Sequence, residues 1–174
     1  MIETLWRRLL HVILRGRTTA PVDDSKPTQT VQGRLSAFQL TDNIPRLVEF
    51  GFSSAPPAGA DFVAVCLGGN PTDIAIVATG HQSYRVRNLG DGDAVVYDSR
   101  GRTIHLSATG IAIDGGADPV TVTTTGDVTI NAANLRVNGN TIFTGTVTAN
   151  GHRIDETHKH SGVSIGAANT GTVT

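Results

Sequence analysis

The sequence predicts an all-β protein that begins with a short helix, continues as a small barrel and ends in a long β-repeat. Short strand-like runs bounded by Gly, Pro, Asn or Asp fill residues 28–100. From Gly101 onward, apolar residues alternate in pairs, and successive pairs begin seven to nine residues apart. Only 5% of the 174 residues are aromatic, and most of them precede residue 98. The last third therefore lacks the bulk for a globular core of its own.

The first 27 residues are predicted to be an amphipathic helix and a polar connector. In "MIETLWRRLLHVILRGR" the apolar residues recur at helical spacing, with arginines largely on the other side. The stretch lacks the order of a signal peptide and is too short and too charged to span a bilayer. Such a helix can lie on a membrane surface or dock on a protein, and its narrow apolar stripe favours docking.

Residues 28–100 are predicted to form a five-stranded barrel of the OB type. The number and length of the runs fit that fold, which alone does not specify a function. "SSAPPAGAD" is predicted to be a loop, because proline cannot donate to a β-ladder. The predicted strands are "TVQGRLSAF", "RLVEFGF", "DFVAVCL", "DIAIVA", "YRVRN" and "AVVYD".

The repeat over residues 101–151 predicts an obligate oligomer. One face of each short strand is apolar, so a lone chain would be a thin ribbon with exposed apolar residues and open strand edges. Three copies wound about one axis bury those faces and pair those edges. A single-chain parallel β-helix is the structural alternative, but it usually needs longer rungs. The apolar pairs are Ile104/Leu106, Ile111/Ile113, Val120/Val122, Val128/Ile130 and Leu135/Val137.

The segment "ETHKHSG", within residues 152–174, suggests a metal site. His158 and His160 would face the same side of an extended chain, but two ligands do not complete a site, and the single cysteine, Cys66, lies far upstream. In a trimer, three chains supply six imidazoles, an octahedral set that suits Fe(II), Ni(II) or Co(II) better than Zn(II), and iron is the most available of these in a cell. The alternative is a pair of solvent-exposed histidines in a tail. His81, His105 and His152 have no comparable partner and are expected in surface or turn positions.

Several stretches resemble the baseplate spike proteins of contractile-tailed phages, the baseplate assembly protein V group of Mu-like phages. They are "EFGFSSAPPAGADFVAV", "YRVRNLGDGDAVVYDSRGRTIHLSATGIAI" and "THKHSGVSIGAANTG". The resemblance implies a homotrimeric, membrane-piercing needle in the tail baseplate of the virion. It implies an OB-fold collar on the hub protein below the tail tube, a triple-stranded β-helix, and an apex that holds iron through His158 and His160. The target would be the host outer membrane.

Other functions are less compatible with the sequence. A net charge of -1 and scattered aromatics argue against an OB-fold nucleic-acid-binding module. We expect no enzymatic activity, because the common hydrolase, metalloprotease and P-loop motifs do not occur and no segment remains for a catalytic domain. A trimeric receptor-binding adhesin or tail-fibre tip is the closest alternative, but its end should be rich in aromatics.

Overall fold

The computed structural model describes residues 12–35, 39–70, 72–154, 162 and 166. Over these residues the fold is all-β, with antiparallel sheets and one short 3₁₀ turn at Leu67–Gly69. No helix in this part of the chain is long and apolar enough to cross a membrane. The chain divides into two compact units, residues 1–122 and 123–174.

The first unit contains a five-stranded sheet. Its strands run antiparallel in the order β3-β2-β1-β4-β5, so β1 is central and pairs with both β2 and β4. The strands are β1 (Ile13–Thr18), β2 (Thr30–Arg34), β3 (Leu40–Pro45), β4 (Asp61–Cys66) and β5 (Ile74–Gly80).

The core of this sheet follows from alternation along β1, β2 and β4, whereas β5 buries three consecutive residues at its start. In β4 every second residue is buried, namely Phe62, Ala64 and Cys66. The Phe62 ring packs over two strand glycines, Gly16 and Gly33, where a Cβ atom would overlap the ring. Val31, Ile44, Ile74 and Ile76 complete the core.

The edges of the sheet meet at a single point. Arg46, just after β3, forms an isolated parallel bridge with Ile76 of β5, and the Leu47 N–H donates to the Ile76 carbonyl at 2.9 Å. The chain then leaves the sheet, so no continuous ladder joins β3 to β5. The predicted five-stranded barrel of the OB type is therefore not closed: the five strands form a sheet whose edges touch at one bridge.

The predicted N-terminal helix is also wrong where the structure describes it. Ile13–Thr18 form the central strand, with Leu14, Gly16 and Thr18 turned inward and the arginines between them outward. That alternation has period two, which the neighbouring leucines and arginines obscure in the sequence. The rest of the predicted helix, residues 1–11, lies outside the described residues.

Two other predicted strands are wrong. "RLVEFGF" is irregular apart from the Arg46 bridge and a turn, and "YRVRN" forms a turn followed by coil. Besides β1, sequence patterning missed β3, "LTDNIP", whose polar residues and left-handed Asn43 (φ 54°) mask its alternation. The register between β2 and β3 shifts between Val31 and Gly33, as a bulge requires.

The first unit also contains a three-stranded meander. It consists of β6 (Ala94–Tyr97), β7 (Thr103–Ser107) and β8 (Gly110–Asp114), in that order. Ile104 of β7 pairs with Ile113 of β8, so the first two apolar pairs of the repeat lie on adjacent strands. This part of the strand prediction is confirmed.

The second unit contains one small hairpin, β9 (Thr148–Ala149) and β10 (His152–Arg153). Its two-residue turn is Asn150-Gly151, and both residues have positive φ (51° and 82°), as a type I′ turn requires. Upstream of the hairpin, residues 123–147 form no strand in the single chain.

Candidate assembly surface and metal centre

The repeat presents its apolar side chains to solvent in the single chain. Every residue from 116 to 146 is exposed. A soluble protein rarely leaves so many aliphatic side chains uncovered, and such a surface normally marks an interface. In the first unit the exposed members are Ile111, Ile113, Val120 and Val122, and in the second they are Val128, Ile130, Leu135, Val137, Ile142 and Phe143.

The backbone N–H and C=O groups of the same stretch take part in no β-ladder of the chain. All residues from 115 to 147 are described, and none belongs to a strand or a β-bridge within the chain. Extended segments whose N–H and C=O groups find no ladder invite pairing with another chain. Exposed apolar residues and a backbone outside any β-ladder therefore coincide over residues 116–146, and we call residues 116–146 the assembly segment.

The assembly segment follows strands β7 and β8, and the turn between β6 and β7 is held by several hydrogen bonds. The Asp98 carboxylate accepts hydrogen bonds from the backbone N–H groups of Arg100 at 2.8 Å and Arg102 at 3.1 Å. It also accepts from Arg102 Nε at 2.7 Å and from Arg102 Nη2. The hydrogen bond from the Arg102 side chain is the main reason that the pKa of Asp98 lies below its usual value. The same bond raises the pKa of Arg102, whose Nη1 lies 3.5 Å from Asp118 Oδ2.

A second contact ties the preceding loop to β7. His105 Nε2 lies 3.2 Å from Asp93 Oδ2, and that oxygen also accepts the Gly90 N–H at 3.1 Å. His105 had been expected in a surface or turn position, but it lies half-buried within a strand. Its contact with Asp93 was not predicted, and the only signal was that both residues flank the same predicted strand.

The proposed metal ligands are not tested by the structure, since His158 and His160 lie outside the described residues. Within the described part of the chain, no group of three or more His, Cys, Asp or Glu side chains lies close enough to hold a metal ion. His81 packs against Tyr84, with ring centroids 4.5 Å apart, and His152 is exposed in β10. The six-histidine iron site therefore stays a prediction.

The comparisons with known proteins agree with the resemblance drawn from the sequence. Residues 15–83 match the family model described as Bacteriophage Mu Gp45, N-terminal. The chain is 29% identical to the baseplate puncturing device gp45 of Escherichia phage Mu, over 95% of this chain and 91% of that protein. It is 28% identical to the Mu-like prophage FluMu protein gp45 of Haemophilus influenzae, over 91% of this chain and 86% of that protein.

Proposed function

Because residues 15–83 match the model of the Bacteriophage Mu Gp45 N-terminal family, we propose that the chain is the cell-puncturing spike of a contractile phage tail baseplate. One relative that aligns over nearly its whole length is itself named a baseplate puncturing device. The chain is accordingly a component of the virion, placed at the centre of the tail baseplate. The alignment covers the assembly segment as well as the five-stranded sheet, which we call the collar, so the proposal concerns the whole chain.

The working form is a homotrimer in which three assembly segments wind into a triple-stranded β-helix. The observation that carries this proposal is the continuous exposure of residues 116–146 in a single chain. Fully burying one Val, Leu, Ile or Phe side chain is worth about 1.5–3 kcal/mol, so the six such residues exposed in residues 128–143 of each chain supply a large driving force for association. Strand edges left open in one chain would pair with those of the next.

The spike acts by transmitting force rather than by chemistry. Sheath contraction elsewhere in the particle pushes the needle into the host outer membrane. Interchain ladders loaded along the axis yield only when many hydrogen bonds break together, which makes forced dissociation slow. The hydrogen-bonded turn at Asp98 and Arg102 would connect the assembly segment to the five-stranded collar. The collar in turn docks on the hub protein.

The tip of the needle holds one iron ion in this proposal. Three copies of His158 and His160 would provide six neutral imidazoles, which fill an octahedral shell and leave no position for a substrate. The ion would be a structural clasp that holds the ends of the three chains together.

A complementation experiment tests the function. Phage tails made without the chain, and tails supplied with it in trans, are compared for attachment to host cells and for potassium release from those cells. We expect attachment in both cases and rapid potassium release only with the chain. Normal potassium release from tails that lack the chain would overturn the proposal.

A further inference from the structure

The loop that follows β3 presents a fully exposed phenylalanine. The chain turns over residues 49–52, where the Phe52 N–H donates to the Glu49 carbonyl at 3.0 Å. Gly51 has the positive φ (91°) that the third position of a type II turn requires, so Phe50 stands at the tip. The relative exposure of Phe50 is 104%, which means that nothing in its own chain covers the ring. We call residues 49–52 the Phe50 turn.

A cleft of about 610 Å³ lies beside this turn, within the first unit. Its walls come from the loop before β4, from the end of β5 with the turn that follows it, and from β6 with the turn before β7. Tyr84 and Tyr97 line it and are still 41% and 38% exposed in the single chain. We call it the aromatic cleft. Its apolar lining consists of Phe52, Pro56, Pro57, Tyr84, Val96 and Tyr97. Such a lining suits an aromatic side chain.

The Phe50 turn and the aromatic cleft carry opposite charges. The Glu49 carboxylate beside Phe50 is exposed and forms no ion pair with any residue that the structure describes. Arg100 lines the cleft, is also exposed, and its guanidinium forms no ion pair within the same described ranges. The other arginine of the cleft, Arg102, is already paired with Asp98. A carboxylate that entered the cleft beside a phenylalanine would therefore meet Arg100.

The positions of the turn and the cleft within one chain fit a contact between copies. Phe52 lines the cleft of its own chain, whereas Phe50, at most about 7 Å away along the backbone, is uncovered. Two neighbouring parts of one surface can meet their counterparts across a threefold axis when both lie close to that axis. The contact then joins different parts of the two copies, repeats three times and closes the ring.

We propose that the Phe50 turn of each chain inserts into the aromatic cleft of a second copy. Phe50 would pack against Tyr84 and Tyr97 of that copy, and Glu49 would pair with its Arg100 in the two-point geometry that guanidinium and carboxylate groups favour. The inference rests on the trimer of the proposed function. It adds a contact between the first units of neighbouring chains to the pairing of their assembly segments.

Photo-crosslinking of the full chain tests this contact. Phe50→p-benzoylphenylalanine places a photoreactive ring at the tip of the turn, where the side chain it replaces is fully exposed. After illumination we expect covalent dimers on denaturing gels, and mass spectrometry of that band should map the crosslink to Tyr84, Tyr97 or their neighbours in the cleft. Leu40→p-benzoylphenylalanine is the matched control at another exposed apolar position, and it should not label the cleft.

Charge reversal tests the ion pair in the same assay. With the photoreactive ring at residue 50, Glu49→Arg should lower the yield of covalent dimers about threefold or more, because two cations would then face each other. Adding Arg100→Glu should restore most of the yield, since the exchanged charges attract again. Asp91→Arg makes the same charge change at an exposed position outside the cleft and should leave the yield unaltered.

Several results would overturn the proposal: no covalent dimers, crosslinks within one chain or outside the cleft, an equal loss with Asp91→Arg, or crosslinks to another baseplate protein in assembled tails. Native mass spectrometry of the same sample distinguishes this failure from failure of the proposed function. A trimer without the crosslink removes the Phe50 contact and leaves the trimeric spike in place. A folded monomer would contradict both this contact and the trimer on which it rests.

Discussion

The guanidinium of Arg46 donates a hydrogen bond to the carbonyl oxygen of Ser54 across 2.7 Å, at the point where the two edges of the five-stranded sheet meet. Arg46 is only 7% exposed and donates further bonds to Gln29 Oε1, Ser54 Oγ and Thr79 Oγ1. Burial lowers the pKa of this arginine, and Asp24 partly offsets the effect. The bonds join the chain before β2, the loop after β3 and strand β5 around one buried cation.

Replacing Arg46 should weaken the contact between the two edges of the five-stranded sheet. We expect Arg46→Ala to reduce the free energy of unfolding by about 2–4 kcal/mol, because four acceptors lose a charged donor in a buried site. The free energy of unfolding of Arg46→Lys should lie between those of the unaltered chain and Arg46→Ala, since an ammonium group cannot reproduce the planar hydrogen-bonding geometry of a guanidinium. Urea unfolding at fixed protein concentration measures both. The exposed Arg85→Ala is the control, and an equal loss there would contradict the role assigned to Arg46.

The fit of Phe62 over Gly33 gives a second prediction. A Cβ atom at residue 33 would overlap the Phe62 ring, so Gly33→Ala should destabilise the collar by about 1–3 kcal/mol. Gly80→Ala is the control, because a Cβ there meets nothing within 4 Å. Adding Phe62→Leu to Gly33→Ala should recover part of the loss, as thermal unfolding would show. Additive losses in the double variant would argue against this contact.

The Asp98–Arg102 pair predicts how stability depends on pH. Because the folded state holds the pKa of Asp98 below its unfolded value of about 3.9, the pair stabilises the protein above that value, and this stabilisation is lost as pH falls toward the folded pKa. Asp98→Asn should therefore flatten the loss of stability between about pH 5 and pH 2. Asp91→Asn, in an exposed part of the preceding loop, is the control. An unchanged acid profile in Asp98→Asn would refute the linkage.

Strands whose own residues alternate between apolar and polar could be predicted from the sequence. Phe62, Ala64 and Cys66 alternate with half-buried residues, and Ile104, Leu106, Ile111 and Ile113 mark β7 and β8 in the sequence. Strand β3 was missed because its inward residues are separated by Asp and Asn, and β1 was mistaken for the end of a helix.

The Arg46 network and the register of Arg17 against Arg34 could not be predicted from the sequence for a different reason. Both join residues far apart in the chain, Arg46 with Thr79 and Arg17 with Arg34, and only the register of the strands brings them together. The metal prediction depends on His158 and His160, which lie outside the described residues, and on two further chains.

The alternation of the assembly segment predicts which substitutions prevent association. Ile130→Asp would place a charge on the face that the trimer buries, so we expect it to shift the protein from trimer to monomer. Thr129→Asp puts the same charge on the opposite face of the extended chain and should leave the trimer intact. Native mass spectrometry distinguishes the two. A folded monomer of the unaltered chain, or dissociation of both variants, would contradict the trimeric model.

The histidine pair gives the prediction that bears on the tip. If three copies of His158 and His160 hold one ion, the purified protein should contain about one iron per three chains by elemental analysis. His158→Ala should lose that iron, because an octahedral site deprived of three of its six nitrogens binds far more weakly. His152→Ala, at an exposed position in β10, should retain it.

Removing the iron with a strong chelator should make the C-terminal end more susceptible to proteolysis while the collar stays folded, since the strand pairing of the collar does not involve the ion. Zinc in place of iron at the same stoichiometry would correct only the identity of the ion, whereas a metal-free trimer, or one that keeps its iron in His158→Ala, would remove these histidines as ligands.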